Sequence, residues 1–190
     1  MENKRYFILR FRCRNKAMLF RREDDFLTFL RIYEKRMRPF VATYAWSFTA
    51  ERALFLAATR QEDNRYIKKA GELVKRYQRY HRKRNRGRSN AEKKVIHLPG
   101  PDKETLRDTV VRVHCRPLLE GLGHDFAEYP WTSYLLLLGE KHPWLQTGEV
   151  MGWFGGKEAF RSHHHRFLIN HIGKQESERE NFVTFIQRKE

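Results

Sequence analysis

Cysteine is nearly absent. Cys13 and Cys115 are the only two in 190 residues, they lie far apart, and neither sits in a C-x-x-C pair. Neither a disulfide framework nor a tetrahedral zinc site is therefore suggested, and a reducing cytoplasm suits the chain. No run of 18 or more apolar residues occurs, nor the apolar region of a signal peptide, so no membrane span is expected. Internal repeats and long low-complexity tracts are missing as well, which argues against a solenoid. Acidic side chains are scarce: 23 Asp and Glu stand against 39 Lys and Arg, giving a formal charge of +16. Solubility does not require such an excess, and it implies a polyanionic partner. With 40% hydrophobic and 14% aromatic residues, one core of ordinary size is within reach.

Residues 6 to 13, Y-F-I-L-R-F-R-C, form a β-rich run that reads as a first strand. Asp24 and Asp25 open a helix in which Phe26, Phe29, Leu30 and Tyr33 recur at helical steps before Pro39 closes it. Two β-compatible runs follow, Phe40 to Phe48 and Arg52 to Thr59, parted by Thr49-Ala50-Glu51. Periodicity alone would allow a helix for the second, and its place between clearer elements favours a strand. Tyr66, Ile67, Ala70, Leu73, Val74, Tyr77 and Tyr80 then recur at helical spacing across residues 65 to 84, opposite a face of Lys and Arg. A polar loop is expected from Arg82 to Lys94, then a short strand to Leu98. After Pro99-Gly100-Pro101, Asp102 can cap a helix over Thr105 to His114 that should end or bend near Pro117.

The order β-α-β-β-α-β with a further helix is an α+β, ferredoxin-like (RRM-like) arrangement, with a C-terminal helical extension. Two helices should cover one face of the antiparallel sheet and leave the other free. The extension holds tryptophan-rich segments, a helix from about Lys157 to Asn170, and a charged tail that is either disordered or a short docked helix.

The basicity is local. Between Arg65 and Lys94 thirteen Lys or Arg face two Glu, a net +11. Arg65, Lys68, Lys69, Lys75, Arg76, Arg79, Arg82, Lys83, Arg84, Arg86 and Arg88 are the candidate phosphate contacts. Solvation of an outer helix face explains a mixed-sign run better than this one-signed run. Tyr66, Tyr77 and Tyr80 are either core residues, the commoner outcome at such spacing, or stacking platforms for unpaired bases.

Several segments resemble the REP-associated tyrosine transposases, relatives of the single-tyrosine HUH (IS200-like) transposases. Val111 to Leu122, V-R-V-H-C-R-P-L-L-E-G-L, follows the family pattern R-Y-I-H-L-N-P-V-R-A-G-L, keeping His114, Pro117 and Gly121. Tyr129 to Tyr134 is close to Y-P-W-S-S-Y, and Arg12, Asn15 and Phe20 resemble an early R-x-N-x-x-x-x-F stretch. Trp153-Phe154-Gly155, Phe160 and Phe167 are similar to a late L-F-G and Y-x-x-F segment. The resemblance implies a transposase-like HUH-type domain over residues 1–125, a docking segment and helix over 126–172, and a tail over 173–190. It also implies DNA as partner, hairpin or single-stranded, and a bacterial, nucleoid-associated protein, more readily a monomer than a dimer.

The same resemblance implies lost chemistry. Glu51 and Ala53 fall where the family has two histidines that hold Mg²⁺ or Mn²⁺, so no metal site or cofactor is expected, and either ion would be needed only if cutting were retained. Arg112 stands at the nucleophilic tyrosine's position and Arg116 at that of an asparagine; a guanidinium cannot attack a phosphodiester but can contact one. His163-His164-His165 would face different directions on a helix, which suits a surface or DNA-contacting role. His114 should be a packing residue, and Trp131 and Tyr134 should dock the C-terminal segment. Two other readings stay open: a working transposase or nicking nuclease using Tyr77 or Tyr80, and an RNA-binding protein on an open sheet.

Overall fold

The computed structural model describes residues 4–14, 17–60, 64–85, 90–139 and 142–171. Asn15, Arg86, Arg88 and the expected tail over 173–190 lie outside the described residues. In chain order the elements are β1 (Arg5–Cys13), α1 (Glu23–Met37), β2 (Ala42–Thr49), β3 (Arg52–Thr59), α2 (Arg65–Asn85), β4 (Ala91–Leu98), α3 (Lys103–Leu119), α4 (Tyr134–Leu138) and α5 (Thr147–Phe154). A last helix, α6, spans residues 157–171. The four strands form one antiparallel sheet in the order β2-β3-β1-β4. This is the expected α+β, ferredoxin-like arrangement.

Alternation along β1 decides which face is which. Phe7, Leu9, Phe11 and Cys13 are buried against α1 and α2, while Tyr6, Ile8, Arg10 and Arg12 point the other way. The core between sheet and helices is mostly aromatic. Tyr33 lies flat on Phe55 with 3.7 Å between ring centroids, and Phe7 stacks on Tyr66 at 4.4 Å. Burial of each such ring is worth roughly 2–3 kcal/mol. Glu23, Asp24 and Asp25 occupy the first turn of α1, where carboxylates complement the helix dipole. Asp25 also accepts from the backbone N–H groups of Arg21 and Arg22, and from the Tyr80 hydroxyl of α2.

Three expectations need correction. The polar stretch after Arg82 is less of a loop than its composition suggests: α2 continues to Asn85 and β4 begins at Ala91. The whole of β1 from Tyr6 to Cys13 is paired by β4, and those backbone groups take precedence over the lysines of the partner strand. Secondly, α3 starts at Lys103 and runs past Pro117 to Leu119. Asp102 caps it as expected, accepting from the Thr105 N–H at 2.8 Å. Pro117 sits in the final turn, and burial of Val110, Val111, Val113, Cys115 and Leu118 outweighs its one missing bond.

Thirdly, the second sheet face is only half free. α3 packs on β2 and β3 there, and α5 on α3. A helix so apolar on nearly every side needs cover on both flanks. The segment before α4 runs along the outer edge of β2, with Phe48 N–H donating to Trp131 O and Ser133 N–H to Trp46 O. Trp131 stacks on Phe26 at 4.6 Å, and Tyr134 is buried beside Phe126 and Phe160, so both dock this segment as expected.

Candidate nucleic-acid interface

The helical period of α2 sorts its side chains into two populations. Tyr66, Ala70, Leu73, Val74 and Tyr77 are buried, and Arg65, Lys68, Lys75, Arg76, Arg79, Arg82, Lys83 and Arg84 are exposed. Some cations of α2 are engaged locally, Lys69 with Glu72 at 2.9 Å and Arg84 with Asp24 at 2.6 Å. Lys75, Arg76, Arg79, Arg82 and Lys83 make no ion pair among the described residues. The surface extends onto α1. A hollow of about 200 Å³ between the two helices is lined by Thr28, Arg31, Ile32, Lys35, Arg36 and Arg76. Arg31, Lys35 and Arg36 alternate with apolar residues on α1, which hid them as part of the same patch.

The tyrosines of α2 serve the core. Tyr77 is fully buried and its hydroxyl donates to Leu19 O at 2.6 Å. Tyr80 gives its proton to Asp25 Oδ1 at 3.0 Å. Burial raises the phenol pKa of both, furthest from what a nucleophilic phenolate needs. Stacking on bases is ruled out for Tyr66 and Tyr77, which have no free ring face.

Glu51 and Ala53 do not come together. Glu51 lies in the β2–β3 turn, 3.5 Å from Arg52, while Ala53 points into the helix-covered core opposite Phe11 and Phe48. Arg52 and Leu54 are the side chains that the turn end of β3 presents to the second face, in register with Arg12 and Arg10. Arg52 reaches Glu120 at the end of α3 at 3.3 Å, and Glu120 also holds Arg116 at 2.6 Å. These donors do not fit a divalent cation, since guanidiniums occupy the place and Ala53 offers no ligand. Among the described residues, no three His, Cys, Asp or Glu are grouped to hold a metal ion. Arg112, one turn before Arg116, is exposed and lies over the Phe167 ring of α6 at 5.6 Å.

Two histidines form a buried relay. His164 Nδ1 donates to Phe160 O at 2.8 Å, which leaves Nε2 to accept from His114 Nδ1 at 2.9 Å. His114 Nε2 then accepts from Ser133 Oγ at 2.8 Å, and Ser133 Oγ accepts from the Trp46 N–H. Burial drives both imidazoles to the neutral form, His114 well below its ordinary value and His164 down to about 3. The packing role expected of His114 holds. The surface role expected of the histidine run fails for His164, which is fully buried; His165 alone of the three is exposed.

Sequence reasoning missed Arg10, Arg12 and Arg52, which share the free half of the second face with Arg116. The period-2 recurrence of Arg10, Arg12 and Arg14 along a strand was the available signal. No helix is long and apolar enough to cross a membrane among the described residues.

The fold and its basic helix define an α+β class: a ferredoxin-like sheet with a second helical layer on half of its other face. The solved structure of a REP-associated tyrosine transposase bound to a REP hairpin has a similar fold, with a TM-score of 0.55 over 73% of this chain and 81% of that one, at 13% identity. No protein-family profile and no curated protein sequence matches the chain.

Proposed function

We propose that the chain binds hairpin or single-stranded DNA through the outer face of α2 and the adjoining cations of α1, and that it does so without cutting. The observation that carries this reading is the density of cations on that surface: Lys75, Arg76, Arg79, Arg82 and Lys83 of one helix make no ion pair among the described residues and lie beside Arg31 and Lys35 of the next. Such a surface neutralises backbone phosphates and releases their counterions. The solved protein of similar fold holds a REP hairpin, which favours a folded DNA element over an unstructured polyanion.

Three features support the absence of cutting. A guanidinium stands where the resemblance puts the nucleophile, the residues at the metal position offer one turn carboxylate and no second ligand, and the hydroxyls of Tyr77 and Tyr80 are committed to Leu19 O and Asp25. The RNA reading loses part of its ground, because α3 covers half of the sheet face that it requires.

Fluorescence anisotropy with a labelled DNA hairpin tests the binding. Lys75→Gln/Arg76→Gln/Arg79→Gln should lower the slope of log K against log salt by about 2–3. An unchanged slope would remove α2 from the interface, and stronger competition by an RNA hairpin at physiological salt would move the reading to RNA. Incubation of labelled hairpin with Mg²⁺ or Mn²⁺ tests the second half; a covalent tyrosine adduct or a specific nick would overturn it.

A further inference from the structure

The free half of the second sheet face carries a second cluster of cations, on the side of the sheet away from α2. Strand register aligns its side chains in two rungs across β3, β1 and β4: Arg52, Arg12 and Glu92 in one, Leu54, Arg10 and Lys94 in the next. Arg116 joins from α3. Arg10 lies between the other cations: burial lowers its pKa first, and the charges of Arg12, Arg52 and Arg116 lower it further. Of the carboxylates nearby, Glu51 pairs with Arg52 at 3.5 Å and the other two are each shared by two arginines. Glu92 is divided between Arg12 at 2.9 Å and Arg14 at 3.1 Å, and Glu120 between Arg116 and Arg52. Arg10 Nε is buried and has no hydrogen-bond partner among the described residues.

A sheet face that gathers guanidiniums around one buried, unsatisfied N–H is electrostatically unfavourable until an anion joins it. The fork of a guanidinium matches the oxygens of a tetrahedral oxyanion, and several such forks can share one phosphate. Room is present beside them: a hollow of about 360 Å³ is lined by Thr49, Glu51, Arg52, Arg116, Glu120 and Leu122. We infer that Arg10, Arg52 and Arg116 form a phosphate-binding site, and that its occupant is a backbone phosphate of a nucleic-acid strand, held directly by guanidiniums with no cation between. The source of the phosphate rests on the nucleic-acid reading above; the existence of an anion site does not.

The test uses the full chain and two probes. In the first, arginine Nε–Hε resonances are followed by NMR during titration with inorganic phosphate at constant ionic strength. The Arg10 resonance should shift saturably and lose the shift in Arg52→Gln; no shift in the wild-type protein would overturn the site, and this arm needs no variant to fold. In the second, a DNA hairpin with a single-stranded flank is titrated in EDTA and in Mg²⁺. Arg10→Gln/Arg52→Gln should weaken binding at least about tenfold and lower the salt slope by about two, equally in both buffers. Loss of binding in the α2 triple variant with none in Arg10→Gln/Arg52→Gln would overturn this inference and leave the α2 reading standing. The reverse pattern would support the site and remove α2.

Discussion

Acidification should loosen the C-terminal helices before the sheet, because the His114–His164 relay works only when uncharged. The bonds fix one arrangement: His164 gives its Nδ1 proton to Phe160 O, and His114 gives its own to His164 Nε2. A proton added to His164 Nε2 would set two N–H groups against each other unless His114 changed tautomer and turned its remaining proton toward Ser133. Even then a charge would lie among Tyr134, Phe126 and Phe160, with the His163 and His165 side chains flanking it on the same helix. Both folded-state pKa values are depressed, so the unfolded chain binds more protons, and stability present above about pH 6.5 is lost as pH falls toward about 3, where His164 itself takes a proton. While a histidine stays neutral in the fold, its contribution at about pH 5 is RT ln(1 + 10^1.5), about 2 kcal/mol relative to neutral pH, or about 4 kcal/mol for the pair. Urea midpoints followed by tryptophan fluorescence from about pH 7.5 to about pH 5 would measure this in the wild type and in His164→Gln, which keeps a polar side chain that cannot titrate. The wild-type curve should fall by about 2 kcal/mol more than that of the variant. Parallel curves would refute the reasoning.

Tyr77→Phe strands Leu19 O in the core and should cost about 1–2 kcal/mol in a urea titration while leaving hairpin affinity unchanged; lost affinity at unchanged stability would return Tyr77 to the interface. Asp102→Ala removes the cap of α3 and should cost about 1 kcal/mol, read by the same titration. Phe55→Ala opens a cavity beneath Tyr33, Phe29 and Phe48 and should cost about 3–5 kcal/mol, enough to be visible as a large drop in thermal midpoint.

The strands and helices were legible wherever one periodicity ran without interruption, as in β1 and α2. β4 was half legible because an edge strand with Glu92, Lys93 and Lys94 at its start has no apolar alternation; its partner, not its composition, makes it a strand. The extra layer over the sheet was foreshadowed by α3 itself, whose apolar residues occupy nearly every side. His164 was hidden in a run of three histidines, although Phe160, His164 and Leu168 share the buried face at steps of four. Charge counting found the α2 surface but passed over Arg10, Arg12 and Arg52. Such counting sees density along the chain, and these arginines are brought together only by strand register.

That register has a consequence for the form of the nucleic acid. The α2 surface and the Arg10 cluster lie on opposite faces of one sheet, and the route between them passes the β4 edge, where Lys93 faces the helix side and Lys94 the other. A duplex stem is too stiff to fold around a single strand edge, so a blunt hairpin should occupy one face only. An unpaired flank bends freely and can carry its phosphates past Lys93 and Lys94 to Arg10. A hairpin with a flank of several nucleotides is therefore expected to bind more tightly than its blunt counterpart. The advantage should disappear in Arg10→Gln/Arg52→Gln and persist in the α2 triple variant. Anisotropy titrations of the two hairpins against the three proteins decide it: equal affinities for blunt and flanked hairpins in the wild type would mean that the two basic faces do not act on one strand.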